Sequence, residues 1–362
     1  KFDYKVIDPN ANPIQAQQDK VTKDGTIVLK MDNRQEQVTY ATEQDITSAL
    51  VRLANPGKRT VYFLTGNGEF ITDTSSDSNY NDVKTALEAK NYTVSTLNLL
   101  ATPKIPTDAL AIIVAGPIKQ LSQQEVDLIK AYQDKGGSLV YLSEPRPMTQ
   151  FGTDADPMAA YLEKTWGIKL NEDVIIDPTS QQPIITISQQ FGDSPITQKM
   201  YSLALVMPTA RSLSELTPPQ NVTLTPLAYT SSSAWGETDY ASLAENKVSQ
   251  DASKDNMGPL ILAMSGANSS TNARVLVIGD SDFASSKAYT NYGNSDFVLN
   301  SIDWAAQQDN LISLTARQAT QRFLVTPQRS NMGLILLGSV FIIPGAVLVA
   351  GVSVWLQRRR RG

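Results

Sequence analysis

Two short stretches carry side chains whose type and spacing could do chemistry. Thr65-Gly66-Asn67-Gly68-Glu69 offers an amide and a carboxylate set between glycines. Glycine permits close backbone approach and positive φ, so Gly66, Asn67, Gly68 and Glu69 could hydrogen-bond a sugar or a peptide. The same glycines would equally serve a tight turn with no ligand. A dinucleotide fingerprint needs a third glycine, and Ile71 stands in its place. The second stretch is Asp280-Ser281-Asp282. Asp280 and Asp282 could hold a hard cation through oxygen. They could instead brace a loop or cap the next helix, with Ser281 or Asp282 at the N-cap. Two carboxylates can also cleave a glycosidic bond, given a defined separation.

The chain has 362 residues, no histidine and no cysteine. Disulfides, thiolate metal sites and cysteine nucleophiles are thereby excluded. So are Ser-His-Asp and Cys-His catalysis, because the usual general base is missing. No Gly-x-x-x-x-Gly-Lys-[Ser/Thr] run provides a nucleotide site. The expectation is a non-enzymatic protein with no catalytic residues, no metal and no cofactor. The formal net charge is -5, and four positive charges sit together at Arg358–Arg361, so residues 1–357 carry -9. An acidic body argues against nucleic acid as a partner.

Elements must position these stretches. Thr60–Leu64 is a continuous apolar run that fits a buried parallel strand, and the glycine loop follows it directly. Asn79–Lys90 has helical spacing through Tyr80, Val83 and Leu87. Thr93–Leu97 and Ala109–Ala115 read as strands. Ser122-Gln123-Gln124-Glu125 is a capping box that opens a helix carrying Val126, Ile129 and Tyr132. Gly136-Gly137 ends that helix, Ser138–Leu142 is a fourth strand, and Ser143-Glu144 occupies another sheet edge. Alternation of this kind predicts a parallel α/β sheet with right-handed crossovers. Further on, Pro259–Met264 and Arg274–Ile278 are short apolar strands, the second delivering Asp280 and Asp282. Asp296–Gln307 is a helix on which Asn300 and Trp304 share a face. Trp304 reads as packing, with Asn300 bonded to backbone inside it.

The remaining segments are less regular. Residues 1–57 read as a small unit with strands at Phe2–Ile7 and Thr26–Leu29. It also holds a helix over Ile46–Leu53, capped at Thr42 and Asp45, and breaks at Pro56-Gly57. Pro157–Trp166 is a helix, and Ile184–Ile187, Leu203–Val206 and Val222–Tyr229 are candidate strands. Thr230–Met257 is polar and predicts an exposed loop or insertion. The expected layout is 1–57, an α/β domain over 58–312 with an insertion near 230–257, and a stalk over 313–330. A membrane helix over 331–357 and a basic tail over 358–362 complete it. The chain starts at Lys1 rather than Met, so further N-terminal sequence is expected before it, and it could add another span.

No charged residue falls between Arg329 and Arg358. The run Gly333–Leu356 exceeds the ~20 apolar residues that a bilayer core requires. Pro344 lies mid-span, where a kink is tolerated. Trp355 stands where an interfacial aromatic belongs, and Arg358, Arg359, Arg360 and Arg361 follow. The positive-inside bias puts that cluster in the cytoplasm and the soluble mass outside.

The ordered set of segments carries a family resemblance. Asp45–Ala54 precedes the first α/β strand, and Thr65–Glu69 follows it. Ala115-Gly116-Pro117, Leu121–Glu125 and Lys135–Leu139 come next, then Gly279–Phe283 and Gly293–Trp304, and finally the apolar helix with its Arg run. This set resembles the GldG family, auxiliary membrane components of ABC transport systems associated with gliding motility. The resemblance implies a Rossmann-like central domain of the kind shared with intraflagellar transport proteins and related to class I glutamine amidotransferases. It also implies a thioredoxin-like remnant over residues 1–57. The family commonly has Gly-His-Gly-Glu where this chain has Gly66-Asn67-Gly68-Glu69, which weakens any catalytic role there. Implied partners are an ABC permease and its cytoplasmic ATPase in a hetero-oligomeric complex, with other surface proteins or glycans as further contacts. A structural or adhesion module of a surface assembly is the alternative. A carboxylate-only glycoside hydrolase is a third reading.

Overall fold

The computed structural model describes residues 3–245, 247–312 and 337–361. The chain opens with α1 (Pro13–Gln18), a hairpin of β1 (Ile27–Met31) and β2 (Arg34–Val38), and α2 (Glu43–Ala54). Next come β3 (Arg59–Leu64), α3 (Asn81–Ala89), β4 (Tyr92–Leu97), β5 (Ala109–Ala115), α4 (Gln123–Gln133) and β6 (Ser138–Leu142). The middle holds α5 (Pro157–Trp166), β7 (Ile168–Leu170), β8 (Val174–Ile176), β9 (Thr186–Ser188), β10 (Gln190–Phe191), β11 (Leu205–Met207) and β12 (Leu213–Glu215). Then follow β13 (Val222–Tyr229), β14 (Trp235–Glu237), α6 (Tyr240–Ala244), β15 (Asn256–Met257), β16 (Ile261–Asn268), β17 (Arg274–Ile278) and α7 (Asn294–Ala305). Residues 1–317 and 318–362 are separate units, and the second contains α8 (Ile343–Arg361).

The first unit is a mixed α/β structure. Strands β4-β3-β5-β6-β17 lie side by side and parallel, in that spatial order. The winding direction reverses between β3 and β5. With right-handed crossovers, a reversal moves the helices to the other face. Accordingly Val83 and Leu87 of α3 and Phe297 and Ile302 of α7 pack with Phe63, Ile113 and Val140. Val126 and Ile129 of α4 and Leu162 and Trp166 of α5 pack with Ile112, Val114 and Tyr141. Neighbouring strand residues thus serve opposite faces, which explains why these strands are apolar throughout.

The expected all-parallel sheet holds only as far as β17. Strands β16, β13 and β10 continue the sheet antiparallel, and β12 and β7 attach beside β16. Only residues 269–273 separate β16 from β17, too few for a crossover connection, so the pair closes as a hairpin. Residues 3–7 form no strand. Tyr4 and Val6 are almost fully exposed, and no ladder engages them. The Thr230–Met257 stretch is not simply an exposed loop. β14 pairs with both β8 and β15, and buried Asp173 accepts from Ser212 N (2.8 Å) and Asn256 Nδ2 (2.7 Å). Much of the stretch is exposed all the same, and its buried members include Ala234, Glu237 and Asp255. The strands read at Ile184–Ile187 and Leu203–Val206 are β9 and β11, each shifted toward its C-terminus and paired together.

Local signals hold where they are complete. Thr42 Oγ1 accepts from Asp45 N at 3.0 Å, and Ser122 and Glu125 form the reciprocal capping box. The stalk over 313–330 and residues 331–336 lie outside the described residues. Ser339–Arg360 is long and apolar enough to cross a membrane. A wider helical turn over Leu337–Ile342 precedes α8, so Pro344 falls at the start of the regular helix.

One ion pair ties the two ends of the α/β unit. Lys90, at the end of α3, meets Asp303 of α7 at 2.5 Å, and both are buried. Tyr92 OH donates to Asp303 Oδ1 at 2.9 Å, and Lys90 Nζ also donates to Leu311 O at 3.1 Å. Removing one member strands the other charge in the interior. Lys90→Met is expected to lower unfolding stability by about 3–5 kcal/mol. The double variant Lys90→Met/Asp303→Leu should recover most of that loss, as read from urea unfolding of the full chain in detergent.

Candidate functional site

The parallel strands send their carboxyl ends to one edge, where open α/β sheets usually bind ligands beside the reversal of strand order. Five loops leave that edge, after β3, β4, β5, β6 and β17. They contain both stretches singled out from the sequence.

The loop after β3 turns on Gly66 (φ 126°) and Gly68 (φ 84°), both in the region that favours glycine. The turn leaves the glycines exposed and sends Asn67 and Glu69 inward, where both are buried. Asn67 N donates to Glu69 Oε2 at 2.8 Å. Its side-chain amide donates to Glu69 Oε1 (3.3 Å) and Glu125 Oε1 (2.9 Å). Ser122 occupies the other oxygen of Glu125. Asn67 O accepts from Ile118 N and Lys119 N. Burial raises the Glu69 carboxyl above its ordinary range, with hydrogen bonds from Asn67 opposing. Asn67 therefore bridges two carboxyl groups and joins the loops after β3 and β5. These contacts brace the loop from within.

The second stretch forms a different cluster. Asp280 is fully buried and accepts from Phe283 N (3.2 Å) and Thr209 N (3.4 Å). Ser281 N donates to Glu144 Oε1 at 2.7 Å, and Ser281 Oγ donates to the same oxygen. Tyr80 OH donates to Ser281 O. Asp282 begins the short helical turn Asp282–Ala284, with Ser281 at its N-cap but no side-chain cap bond. Glu144 Oε2 is buried with no partner. Burial pushes Glu144 up to about 7, with Ser281 hydrogen bonds opposing. Burial, then the neighbouring Glu144, holds Asp280 well above the carboxylate range. Among the described residues no group of three acidic side chains is arranged to hold a metal ion.

Side chains pack between these loops. Phe70 stacks on buried Tyr80 at 5.0 Å. Gly116 (φ 62°) lies against Ser281, and a Cβ there would come within 2.3 Å of its Oγ. Buried Arg211 donates to Asn171 O and Glu144 O, and meets Glu172 at 3.2 Å. Arg146 also pairs with Glu172, at 2.8 Å.

The two stretches thus share one edge but not one cluster. Gly66, Asn67, Gly68 and Glu69 join Glu125, whereas Asp280 and Asp282 join Glu144. Glu144 was legible as an edge position after β6. Tyr80 and Arg211 were not, because their partners lie far away in sequence. Asn300 Nδ2 donates to Ile196 O at 3.0 Å, and the Arg274 guanidinium lies over the Trp304 ring at 4.9 Å, so both serve packing. In the second unit Arg359 lies over Trp355 at 5.3 Å, and Arg358 and Arg360 are exposed on α8 with it.

Comparisons with known proteins follow this geometry. A family model described as ABC-type uncharacterized transport system matches residues 58–301. No curated protein matches the chain. Among solved structures, the mmIFT52 N-terminal domain superposes with a TM-score of 0.50 at 16% identity, covering 68% of this chain and 97% of that domain. A ThuA-like protein from Bacteroides uniformis gives 0.41 at 14% identity, covering 68% and 90%. A cytoplasmic protein from Salmonella typhimurium gives 0.38 at 12%, covering 72% and 100%. At these identities the likeness to mmIFT52 speaks to fold alone.

The Glu144 shift sets a pH dependence. Its folded pKa lies above the unfolded value, so its stability contribution is fully present below about 4.5 and is lost as pH rises to about 7. The expected loss across that window is roughly 3 kcal/mol. Glu144→Gln should flatten the profile between pH 4.5 and 7 in urea-unfolding titrations. An unchanged slope would show that another group carries it.

Proposed function

The chain belongs to the family of auxiliary components of ABC-type transport systems, and from that premise we propose that it is a non-catalytic, membrane-anchored member of such a system. The family match over residues 58–301 carries the transport assignment. The hydrogen bonds that occupy the polar groups of the carboxyl edge support the non-catalytic part. At the carboxyl edge Phe70 stacks on Tyr80, Tyr80 bonds Ser281, and Ser281 bonds Glu144, so these polar groups have partners within the chain. The absence of histidine and cysteine is in keeping with this.

The anchor is the helix Ser339–Arg360. Its Arg end lies in the cytoplasm by the positive-inside bias, and the α/β unit is extracytoplasmic. ATP hydrolysis then belongs to a partner on the other side, and this chain works by contact with the permease and its ATPase. The finer kinship is GldG-like, with a link to gliding motility or surface export. The central sheet is a Rossmann-like relative of the glutamine amidotransferases, and residues 1–57 are a thioredoxin-like remnant. The Gly66–Glu69 loop and the Asp280-Ser281-Asp282 turn then brace the carboxyl edge from within rather than act as catalytic groups.

Purification of the full chain from native membranes in mild detergent tests this reading. The permease and ATPase of one transport system are expected to co-purify. Recovery of the chain without either, or within a regular surface lattice, would overturn it.

A further inference from the structure

The large sheet ends on one side at β10, two residues long, and on the other at β4, six residues long. An open strand edge is a template for pairing with another chain. Proteins blunt such edges with short strands, charges, proline, bulges or a covering element. β10 is blunted by its length, whereas β4 carries none of these devices. Tyr92-Thr93-Val94-Ser95-Thr96-Leu97 has no charge and no proline. It pairs with β3 along its whole length without a bulge, and Thr93 and Thr96 are exposed. Tyr, Val and Thr are also residues that strands favour.

One bond fixes the direction of the backbone groups on β4. Thr65 N donates to Leu97 O, so Leu97 turns its N–H and C=O toward β3, as do Ser95 and Thr93. Tyr92, Val94 and Thr96 therefore present theirs outward. Among the described residues no hydrogen bond reaches those outward groups. Tyr92 and Val94 pack on the face that carries α3, and Leu97 packs on the other.

A second copy related by a two-fold axis normal to the sheet pairs antiparallel and keeps each face on its own side. With Val94 on the axis, Tyr92 lies opposite the partner's Thr96, and Thr93 opposite the partner's Ser95. Positions 92, 94 and 96 then form the hydrogen-bonded pairs, so every outward N–H and C=O of β4 is satisfied. Valine meets valine, hydroxyl meets hydroxyl and no like charges oppose, which are stabilising cross-strand combinations. Backbone direction, face and side-chain chemistry all match for this one sequence against itself, which selects a second copy over a foreign strand.

We infer that β4 pairs antiparallel with β4 of a second copy about a two-fold axis at Val94, joining the two large sheets into one. The inference stands apart from the transport reading. Its contact is narrow, and a membrane anchor at Ser339–Arg360 would confine copies to one plane and raise their effective concentration.

The chain has no cysteine, so a disulfide forms only where cysteines are introduced. Thr93 and the partner's Ser95 make a non-hydrogen-bonded pair, whose Cα separation of about 4.5 Å lies within disulfide range. Full-length Thr93→Cys and Ser95→Cys chains with different tags are co-expressed, and native membranes are treated with a mild oxidant. A disulfide joining the two tags is expected, well above the level given by Tyr201→Cys in both chains. Thr96→Pro removes an outward N–H and leaves the ladder with β3 intact. Added to both chains, it is expected to lower the mixed disulfide about tenfold, while Thr96→Ala, which keeps the N–H, leaves it unchanged. A mixed disulfide no stronger than the Tyr201→Cys level overturns the inference. So does one that Thr96→Pro leaves undiminished, or an equal fall with Thr96→Ala, because strand pairing would then not be its source.

Discussion

The ladder between β6 and β17 is the constraint on which the rest of the first unit depends. Residues 139–142 pair in parallel with 275–278, so everything between must fold outward and return. Closing so long a loop costs conformational entropy that grows slowly with its length, and the return is secured by more than one ladder. Ser143 N donates to Ile278 O, Ser281 N donates to Glu144, and Arg211 N donates to Gly279 O. Once β17 is in place, α7 packs on the face already carrying α3. That docking puts Asp303 beside Lys90. The antiparallel half then grows from β17 through the β16 hairpin.

The same closure determines the character of the carboxyl edge. Asn67 braces the loops after β3 and β5, and Glu144 and Ser281 join the loops after β6 and β17. Buried carboxyl groups there accept from backbone N–H donors and neighbouring side chains, and Glu144 does so through Oε1 alone.

Much of this was legible in the sequence, for local reasons. The Thr42 cap, the Ser122–Glu125 capping box and the apolar runs at β3, β5 and β6 are set by neighbours within a few residues. The differences have more than one cause. The strand read at Phe2–Ile7 has the right alternation, yet residues 3–7 join no ladder. The polar stretch after Thr230 pairs through β14 with β8, far upstream. The antiparallel half follows from the short 269–273 connection, which composition alone does not rank. At the candidate site, the glycine loop was recognisable from residue types. Its inward-facing Asn67 and the Glu144–Ser281 contact depend on tertiary placement.

The account stands on the side of the membrane that the α/β unit occupies, because an auxiliary protein outside the cytoplasm must draw on a partner for energy. The chain has no cysteine, so single introduced cysteines report on topology without background. The decisive measurement is labelling of intact cells with a membrane-impermeant maleimide, using Tyr201→Cys on the exposed surface of the first unit and Gly362→Cys after the Arg cluster. The account predicts labelling at position 201 in intact cells and at 362 only after permeabilisation. Labelling at 362 with protection at 201 would contradict it.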